Sequence, residues 1–259
     1  MDEWLMFKFG DITLQQWAGI ILAAGMLILV LVAFNRSNRP RRASLVGIES
    51  PAMIKDFDRI SRWPQFKFLR RLILNELKLM NPAGTLADIG CGPGYLIMDI
   101  AGALHDLSIM GMDISSEALE SARQNIFRSG FIERVNLRRG DIEQMPFADN
   151  SLDFIVSSLS LHHWSKPEKA LGEIYRVLRK DGRFLIFDVR RDAPNLVYGL
   201  IYFAQAIIIP GSLARAGEPL GSFRAAYKYV EARSMLSATS FIDWHIKGGP
   251  AWLFLEGRK

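Results

Sequence analysis

One short stretch, residues 86–95 (Leu-Ala-Asp-Ile-Gly-Cys-Gly-Pro-Gly-Tyr), constrains the fold of this 259-residue chain more than any other. An apolar run that contains Asp88 is followed by Gly90, Gly92 and Gly94, and an apolar helical pattern comes next. Glycine lets the backbone turn sharply and approach a ligand, because no side chain fills the space. The stretch therefore predicts a buried strand, a tight loop that faces a ligand, and a helix.

Beyond this loop, short apolar runs alternate with helical patterns. Strands are predicted at 108–113, 135–139, 152–158 and 183–188, and helices at 95–104, 115–129 and 166–179. Strands that alternate with helices predict a parallel, doubly wound α/β sheet. A last helix at 227–237 precedes two more apolar runs, 241–246 and 251–255, which a Gly-Gly-Pro turn would join into an antiparallel hairpin.

Two of these helices begin with capping residues. Ser115 or Ser116 is expected to cap the second one, because a serine hydroxyl can accept a bond from a free backbone amide of the first turn. Ser165 and Glu168 form a capping-box pattern at the start of the third. Both patterns predict where the helix begins.

Three stretches of the sequence resemble one family. They are 88–94, Gly140-Asp141-Ile142, and 173–182 (Glu-Ile-Tyr-Arg-Val-Leu-Arg-Lys-Asp-Gly). Together they resemble the class I S-adenosylmethionine-dependent methyltransferases, in the small-molecule branch of methyltransferase type 11 and quinone-methyltransferase-like enzymes. The resemblance runs from about residue 66 to residue 259, and it implies a Rossmann-like, seven-stranded α/β sheet with helices on both faces. Lys180 or Asp181 stands where the family usually has proline, a departure that affects only a turn.

The same resemblance implies S-adenosylmethionine as the cofactor. The positions that match the family's cofactor site are Asp88, Gly90, Cys91, Gly92, Gly94, Asp113, Ile114, Asp141, Ile142 and Ser158. Asp88 would organise the amino end of the cofactor, and Asp141 would accept from the adenine amino group. Asp113 lies where a carboxylate can accept bonds from both ribose hydroxyls, although an aspartate there can also cap the next helix. In an open α/β sheet these positions fall beyond the carboxyl ends of the strands, where ligands bind.

Two other interpretations are open at this point. A dinucleotide-binding oxidoreductase shares the Gly-x-Gly turn and the acid after the second strand, but its fingerprint is Gly-x-Gly-x-x-Gly. Gly94 comes one residue too early for that fingerprint. A non-catalytic cofactor-binding or scaffold protein would keep the same fold without an acceptor site.

The catalytic candidates, His162 and His163, follow the fourth strand. In members of the family, residues at this position border the methyl donor and acceptor. Methyl transfer needs a base only if the acceptor must lose a proton, and histidine titrates near neutral pH. Either imidazole can instead hydrogen-bond the loop. As a base, His162 is placed slightly ahead of His163.

Several partner classes are not expected. The fourth strand is not followed by the Asn/Asp-Pro-Pro-Tyr/Phe motif of the nucleic-acid amino-methylating enzymes of this fold, and no basic patch with interleaved aromatic residues suggests RNA binding. The single cysteine, Cys91, excludes an intramolecular disulfide and a zinc site built on several cysteines. We expect no nucleic-acid partner and no metal.

The amino-terminal part of the chain has a different composition. We expect a short tail at 1–11, a transmembrane anchor at 12–35, a basic linker at 36–51 and the methyltransferase domain at 52–259. A helix over the uncharged segment would be about 34 Å long, which is enough to span a hydrocarbon core of about 30 Å. The acids of the tail, Asp2, Glu3 and Asp11, are untypical of a cleaved signal peptide.

The arginines that follow the anchor predict its orientation. By the positive-inside rule, Arg36, Arg39, Arg41 and Arg42 place the following domain in the cytoplasm, which makes the protein a single-pass membrane protein. The same arginines can also contact phospholipid.

Two further apolar segments precede and follow the central pattern. Residues 53–80 have apolar residues at helical spacing and are interrupted at Trp63-Pro64, which predicts two helices. Residues 195–209, inside an insert at about 193–222, are too few for a membrane span and predict a buried helix or pocket lid, with contact to the bilayer surface as the alternative. The anchor and the insert favour a small, lipophilic acceptor, such as a quinone precursor or a lipid.

Overall fold

The computed structural model describes residues 14–43 and 50–259, with side chains from residue 19 onward. Its strands are β1 (Thr85–Ile89), β2 (Ser108–Asp113), β3 (Val135–Arg139), β4 (Leu152–Ser158), β5 (Leu178–Val189), β6 (Ile242–Gly248) and β7 (Trp252–Arg258). They form one sheet in the order β3-β2-β1-β4-β5-β7-β6. The first five strands run parallel, and β7 pairs antiparallel with both β5 and β6. The predicted Rossmann-like, seven-stranded α/β sheet is confirmed.

Ten α-helices lie in the described residues. They are α1 (Leu14–Phe34), α2 (Pro51–Ser61), α3 (Pro64–Met80), α4 (Tyr95–Ala103), α5 (Ser116–Arg128), α6 (Pro167–Val177), α7 (Asn195–Ile207), α8 (Gly211–Arg215), α9 (Leu220–Ala225) and α10 (Tyr229–Ser237). Short 3-10 turns occur at Ile132–Arg134 and Leu161–His163. The predicted break at Trp63-Pro64 separates α2 from α3, because proline cannot continue a helix from the preceding turn.

Each face of the sheet carries a hydrophobic core. Alternate residues of a strand point to opposite faces, so Ala87 and Ile89 pack with Ile174 of α6 on one side. Leu86 packs with Ile97 of α4 on the other. From β1 the strands continue to β2 and β3 on one side, and from β4 they continue to β5 on the other. The strand order therefore reverses between β1 and β4. Ligands of open α/β sheets bind beyond the carboxyl ends of the strands at such a reversal.

A capping pattern in the sequence predicts the start of α5 correctly and the cap of α6 incorrectly. The Ser115 side chain accepts a hydrogen bond from the Ala118 amide at 3.1 Å, so the predicted cap of α5 is present. The predicted capping box of α6 is wrong, because Lys166 is the N-cap residue and no side-chain cap bond forms. The Ser165 hydroxyl is therefore not needed at this start, where Pro167 already has the backbone angle of a first helical turn.

The helix α1 exposes apolar side chains along its described length. Ile21, Leu22, Leu29 and Leu31 are all more exposed than buried. Among the residues with described side chains, the helices include none that is both long and apolar enough to cross a membrane. The transmembrane anchor predicted at 12–35 is therefore not confirmed; the tail at 1–11 and residues 12 and 13 lie outside the described residues.

The first part of the predicted basic linker is bound to the domain. We call residues 36–43 the strap. The buried Ser37 donates its amide to the Ala193 carbonyl at 3.1 Å, and the Arg42 amide donates to the Arg224 carbonyl at 3.0 Å. The strap therefore lies along α7 and α9, the helices of the predicted insert, instead of linking two separate parts.

Candidate active site

The glycine loop connects β1 to α4 and lies over the end of β2. The amides of Gly90 and Cys91 both donate to the Met112 carbonyl, at 2.7 and 3.0 Å. A side chain on Gly90 would meet Ser160 Oγ at 2.6 Å, so this glycine lets the loop after β4 come close. A side chain on Gly94 would instead meet Cβ of Ala122 on α5 at 3.1 Å.

This geometry separates the predicted loop residues into two groups. Gly90, Cys91 and Gly92 line a cavity beyond the end of the sheet, with a volume of about 580 Å³. Gly94 does not line it. Gly94 starts α4 at a positive φ of 81° and lets α5 pack closely. The spacing of the glycines in the sequence does not show whether a glycine serves such packing or contacts a ligand.

The second predicted acid, Asp113, lines the cavity and holds the loop. One carboxylate oxygen accepts from the Gly92 amide at 2.8 Å and the other from the Ser115 amide at 2.9 Å. Burial raises the pKa of Asp113, while these backbone hydrogen bonds oppose the rise. Asp113 thus ties the loop after β1 to Ser115, the residue that caps α5, and its carboxylate also faces the cavity.

The first predicted acid, Asp88, lies behind the loop. It is 1% exposed, and neither carboxylate oxygen has a hydrogen-bond partner in the described residues. Burial, followed by repulsion from Asp113, raises the pKa of Asp88 to about 8. An unpartnered buried carboxyl at the end of β1 fits an ammonium group or a bound water nearby, because either would supply the missing hydrogen bonds.

The predicted pair after β3 also reaches the cavity. Asp141 and Ile142 line it, as do Ile114 after β2 and Ser158 at the end of β4. One Asp141 oxygen accepts from the Glu143 amide at 2.9 Å, which fixes the turn that presents the side chain. The structure therefore brings all of the predicted cofactor residues to one cavity except Gly94 and Asp88.

The roof of the cavity comes mainly from two helices that precede the sheet. Ile54 and Phe57 of α2 and Phe66 of α3 line it, together with Tyr95 of α4. The helical spacing of residues 53–80 predicts the two helices but not which of their side chains face a cavity. No local signal separates a roof position from a core position, because both present the same apolar side chains at the same spacing.

One carboxylate pins this roof to the domain. Asp58 of α2 accepts from Asn125 Nδ2 at 2.7 Å and from the Tyr95 hydroxyl at 3.1 Å. It also pairs with Arg62 at 2.6 Å. Because Tyr95 begins α4 and Asn125 belongs to α5, Asp58 holds α2 against both helices that follow the cofactor loop.

The two histidines after β4 have different environments. His163 lines the cavity, whereas His162 is 3% exposed and does not. His162 Nδ1 lies 2.7 Å from a carboxylate oxygen of Asp188 on β5, and its amide donates to the same group at 2.8 Å. The structure thus places His163 at the cavity and His162 behind it against Asp188, and the slight preference for His162 as a base stays a prediction.

The electrostatics of His163 favour the neutral imidazole. Burial and the adjacent His162 lower its pKa to about 4, although Asp188 acts in the opposite direction. The two imidazole rings are 4.0 Å apart between centroids. His163 Nδ1 is buried without a hydrogen-bond partner in the described part of the chain. A pKa of about 4 keeps the imidazole neutral at physiological pH and also makes it a weak base.

Together, these residues fit S-adenosylmethionine. The loop after β1, the Asp113 carboxylate and the Asp141 turn offer one surface for a nucleoside and a charged amino acid portion, and the unpartnered Asp88 carboxyl lies behind it. The seven-stranded sheet and this site define a class I S-adenosylmethionine-dependent methyltransferase. The class and the cofactor predicted from the sequence are thereby confirmed.

The family comparison agrees. Residues 87–186 match the family described as "Methyltransferase domain". A ubiquinone/menaquinone biosynthesis C-methyltransferase of Geotalea daltonii is 30% identical over 164 residues, which are 62% of this chain and 66% of the relative. A demethylmenaquinone methyltransferase of Symbiobacterium thermophilum is 31% identical over 111 residues, 42% of this chain and 44% of the relative. The chain thus spans no more than about two thirds of these curated relatives.

Solved structures show the same fold. A putative S-adenosylmethionine-dependent methyltransferase of Methanococcus maripaludis superimposes with a TM-score of 0.64 at 22% identity, over 83% of this chain and 94% of the other. A phosphoethanolamine N-methyltransferase 2 of Haemonchus contortus, in complex with S-adenosylmethionine, gives 0.60 at 18% identity, over 81% and 57%. At these identities the likeness concerns the fold.

Proposed function

We propose that this protein transfers a methyl group from S-adenosylmethionine to a small, lipophilic acceptor, such as a quinone precursor or a lipid, at a membrane. One observation carries the proposal. One cavity is lined by the predicted cofactor residues Asp113 and Asp141, by the aromatic side chains of Phe57 and Phe66, and by the neutral imidazole of His163.

The residues of this chain would act mainly by position. When bound, the cofactor supplies an activated methyl group, and transfer by in-line displacement depends on alignment and exclusion of water. The loop of Gly90 and Gly92 and the Asp113 carboxylate orient the donor, and the roof residues Phe57 and Phe66 exclude water. His163 would accept a proton from an acceptor that must lose one, and Asp188 holds its neighbour His162 in place.

The names of the relatives support a lipophilic acceptor. The two curated relatives compared above are a ubiquinone/menaquinone C-methyltransferase and a demethylmenaquinone methyltransferase. An aromatic wall suits a flat ring, because aromatic side chains stack or pack edge-to-face against rings. The relatives share only part of their length with this chain, so the acceptor class is inferred from the cavity and from these names together.

We also propose that α1 attaches the protein to a lipid bilayer. The exposed apolar side chains of α1, from Ile20 to Phe34, include no charged residue. A helix that is apolar on all sides needs lipid or protein around it. Attachment is the proposal. Crossing of the bilayer stays a prediction from the length of the uncharged segment, and the cytoplasmic side of the domain stays one from the arginines after α1.

A paired measurement tests the function. Calorimetry of the full chain with S-adenosylmethionine and, separately, with NAD is combined with transfer of a radiolabelled methyl group to a membrane lipid extract. We expect binding of S-adenosylmethionine only, and label in the organic phase. Binding without transfer to the lipid or to an aqueous metabolite extract would favour the scaffold alternative, and NAD binding would favour an oxidoreductase.

The role of His163 has its own test. His163→Gln should lower the rate of transfer to an acceptor that loses a proton and leave the dissociation constant of S-adenosylmethionine unchanged, because the cofactor groups lie elsewhere. Since burial lowers the pKa of His163 to about 4, the unmodified protein should show no loss of rate from protonation of this histidine between pH 6 and 8. A rate that falls along a titration near pH 6.5 would contradict the assignment.

A further inference from the structure

The helix α7 carries an apolar stripe on its exposed face. Leu196, Leu200, Phe203 and Ile207 follow one another at spacings of four, three and four residues, so they lie on one side of the helix. Their exposed fractions are 42%, 62%, 57% and 68%. The opposite side, with Tyr198 and Ile201, packs into a small hydrophobic core with Phe223 of α9. The stripe is therefore not required for the packing of α7.

The stripe begins where α1 ends. The Asn195 amide donates to the Asn35 carbonyl at 3.0 Å, and Asn195 Nδ2 donates to the Val32 carbonyl at 3.2 Å. The apolar surface of α1 and the stripe of α7 therefore meet at this junction. A surface that contacts the end of α1 therefore also lies near the start of α7. Because α1 is proposed to attach to a bilayer, the bilayer is the first candidate for contact with α7.

Charge favours lipid over a second copy of the chain. The strap and residues 192–226 carry Arg36, Arg39, Arg41, Arg42, Arg215 and Arg224 against Asp192 and Glu218. Arg36, Arg39 and Arg42 are exposed beside the start of α7, and Arg215 is exposed on α8 after its end. Two copies joined at this face would bring these cations together, whereas anionic lipid headgroups attract them.

The two ends of α7 are fixed in the domain. At the start, the Arg39 guanidinium lies 4.0 Å from the centroid of the Tyr198 ring. At the end, Ile209 and Leu213 pack against Met53 and Ile60 of α2. The Ser212 hydroxyl also hydrogen-bonds Asp56 of α2. Because α2 forms the roof of the cavity, α7 is joined to the roof through the residues that follow it and through α8.

We propose that the α7 stripe lies in the surface of an anionic lipid bilayer and that this contact places the roof of the active-site cavity at the membrane. A lipophilic acceptor would then enter beneath α2 from the lipid, past Phe57, and reach the cavity without crossing bulk water. The inference rests on the proposed attachment through α1 and adds a second, oriented contact to it.

Spin labels on the full-length chain test the contact. Phe203→Cys on the stripe and the matched variant Phe127→Cys on α5, where the phenyl ring is 69% exposed, each receive a nitroxide. Cys91 stays in place, because it is buried and burial raises the pKa of its thiol. Each protein is mixed with phosphatidylcholine and phosphatidylglycerol vesicles, and vesicle binding is measured by flotation. Accessibility of the label to oxygen and to a water-soluble nickel chelate is measured by power saturation.

For the label at position 203, we expect a several-fold loss of accessibility to nickel together with a gain for oxygen, and no such change at position 127. A vesicle-bound protein whose label at 203 stays accessible to nickel overturns the inference and leaves attachment through α1 intact. Loss of nickel accessibility without a gain for oxygen indicates a protein contact and also overturns it. A chain that does not float with vesicles contradicts both the stripe contact and the proposed attachment, while methyl transfer is judged by its own assay.

A second measurement uses charge on the stripe. The double variant Leu200→Glu, Phe203→Glu places two carboxylates on the exposed face without touching the small core beneath. We expect about tenfold weaker partition into the same vesicles, since apolar contact is lost and anionic headgroups repel the new charges. Phe127→Glu is the matched control and should partition like the unmodified chain. Equal partition of all three proteins would overturn the proposal.

Discussion

The cofactor end of the sheet and the strap are held in place in different ways. At the cofactor end, the contacts run through the backbone amides of the loops after β1 and β2, as when Asp113 binds the amides of Gly92 and Ser115. At the strap, side chains from distant parts of the chain make the contacts: Arg191 donates to the carbonyls of Arg39 and Ala226. Loops rich in glycine and aspartate leave a pattern in the sequence, and side-chain contacts between distant segments do not.

Among substitutions that break contacts, the largest effect is expected at the distant ones. Arg191→Met removes a guanidinium that is almost fully buried and that binds the two carbonyls and the Glu231 carboxylate. Loss of these bonds should lower the free energy of unfolding by about 3 kcal/mol, because buried acceptors lose their donor. Denaturant titration measures the change. Arg233→Met removes the same charge from an exposed position and should change stability by less than about 0.5 kcal/mol.

The next largest effect is expected at the cofactor end. Asp113→Ala removes the acceptor that holds the Gly92 and Ser115 amides, and it removes a carboxylate from the cavity. We expect the affinity for S-adenosylmethionine to fall about 100-fold, which corresponds to about 2.7 kcal/mol. Calorimetry measures the dissociation constant. The control is Asp106→Ala, at an exposed position outside the cavity, and a similar loss there would show that net charge is responsible.

Asp88 allows a test by pH. Its folded-state pKa of about 8 lies above the unfolded value of about 4, so the folded protein keeps a proton that the unfolded chain has lost. The free energy of unfolding should therefore fall as pH rises from about 4 to about 8, by up to about 1.4 kcal/mol per pH unit from this group. Asp88→Asn should remove that slope. Denaturant titrations at several pH values compare the two proteins, and an unchanged slope would contradict the buried, unpartnered carboxyl.

The sequence predicted the sheet well because its signals are local. The strands at 108–113, 135–139 and 152–158 are found where apolar runs predicted them. The glycine loop was also located, although spacing alone did not show that Gly94 serves α5 packing and not the cavity. Each of these features depends on a few consecutive residues, whose backbone preferences and apolar pattern are visible in the sequence.

The remaining features depend on partners that the sequence does not pair. Asp188 is on β5, and its contact with His162 arises only when β5 lies beside β4. In the same way, a basic segment after α1 is typical of a linker, and its contacts with Ala193, Arg224 and the buried Arg191 make the strap part of the domain. The roof formed by α2 also requires α8 to pack against it. Such contacts join positions far apart in sequence, and no periodicity indicates them.

The smallest expected effect is a difference between two serines that both match a helix-capping pattern in the sequence. Ser115→Ala removes the hydroxyl that accepts the Ala118 amide at 3.1 Å, and it should lower the free energy of unfolding by about 1 kcal/mol. Ser165→Ala should change it by only a few tenths of a kcal/mol, because α6 begins at Lys166 without a side-chain cap. Parallel denaturant titrations of the two variants measure the difference. Equal losses of unfolding free energy would mean that Ser165 also stabilises the start of α6. The local capping pattern would then predict that helix start as well as it predicts the start of α5 beside the cofactor loop.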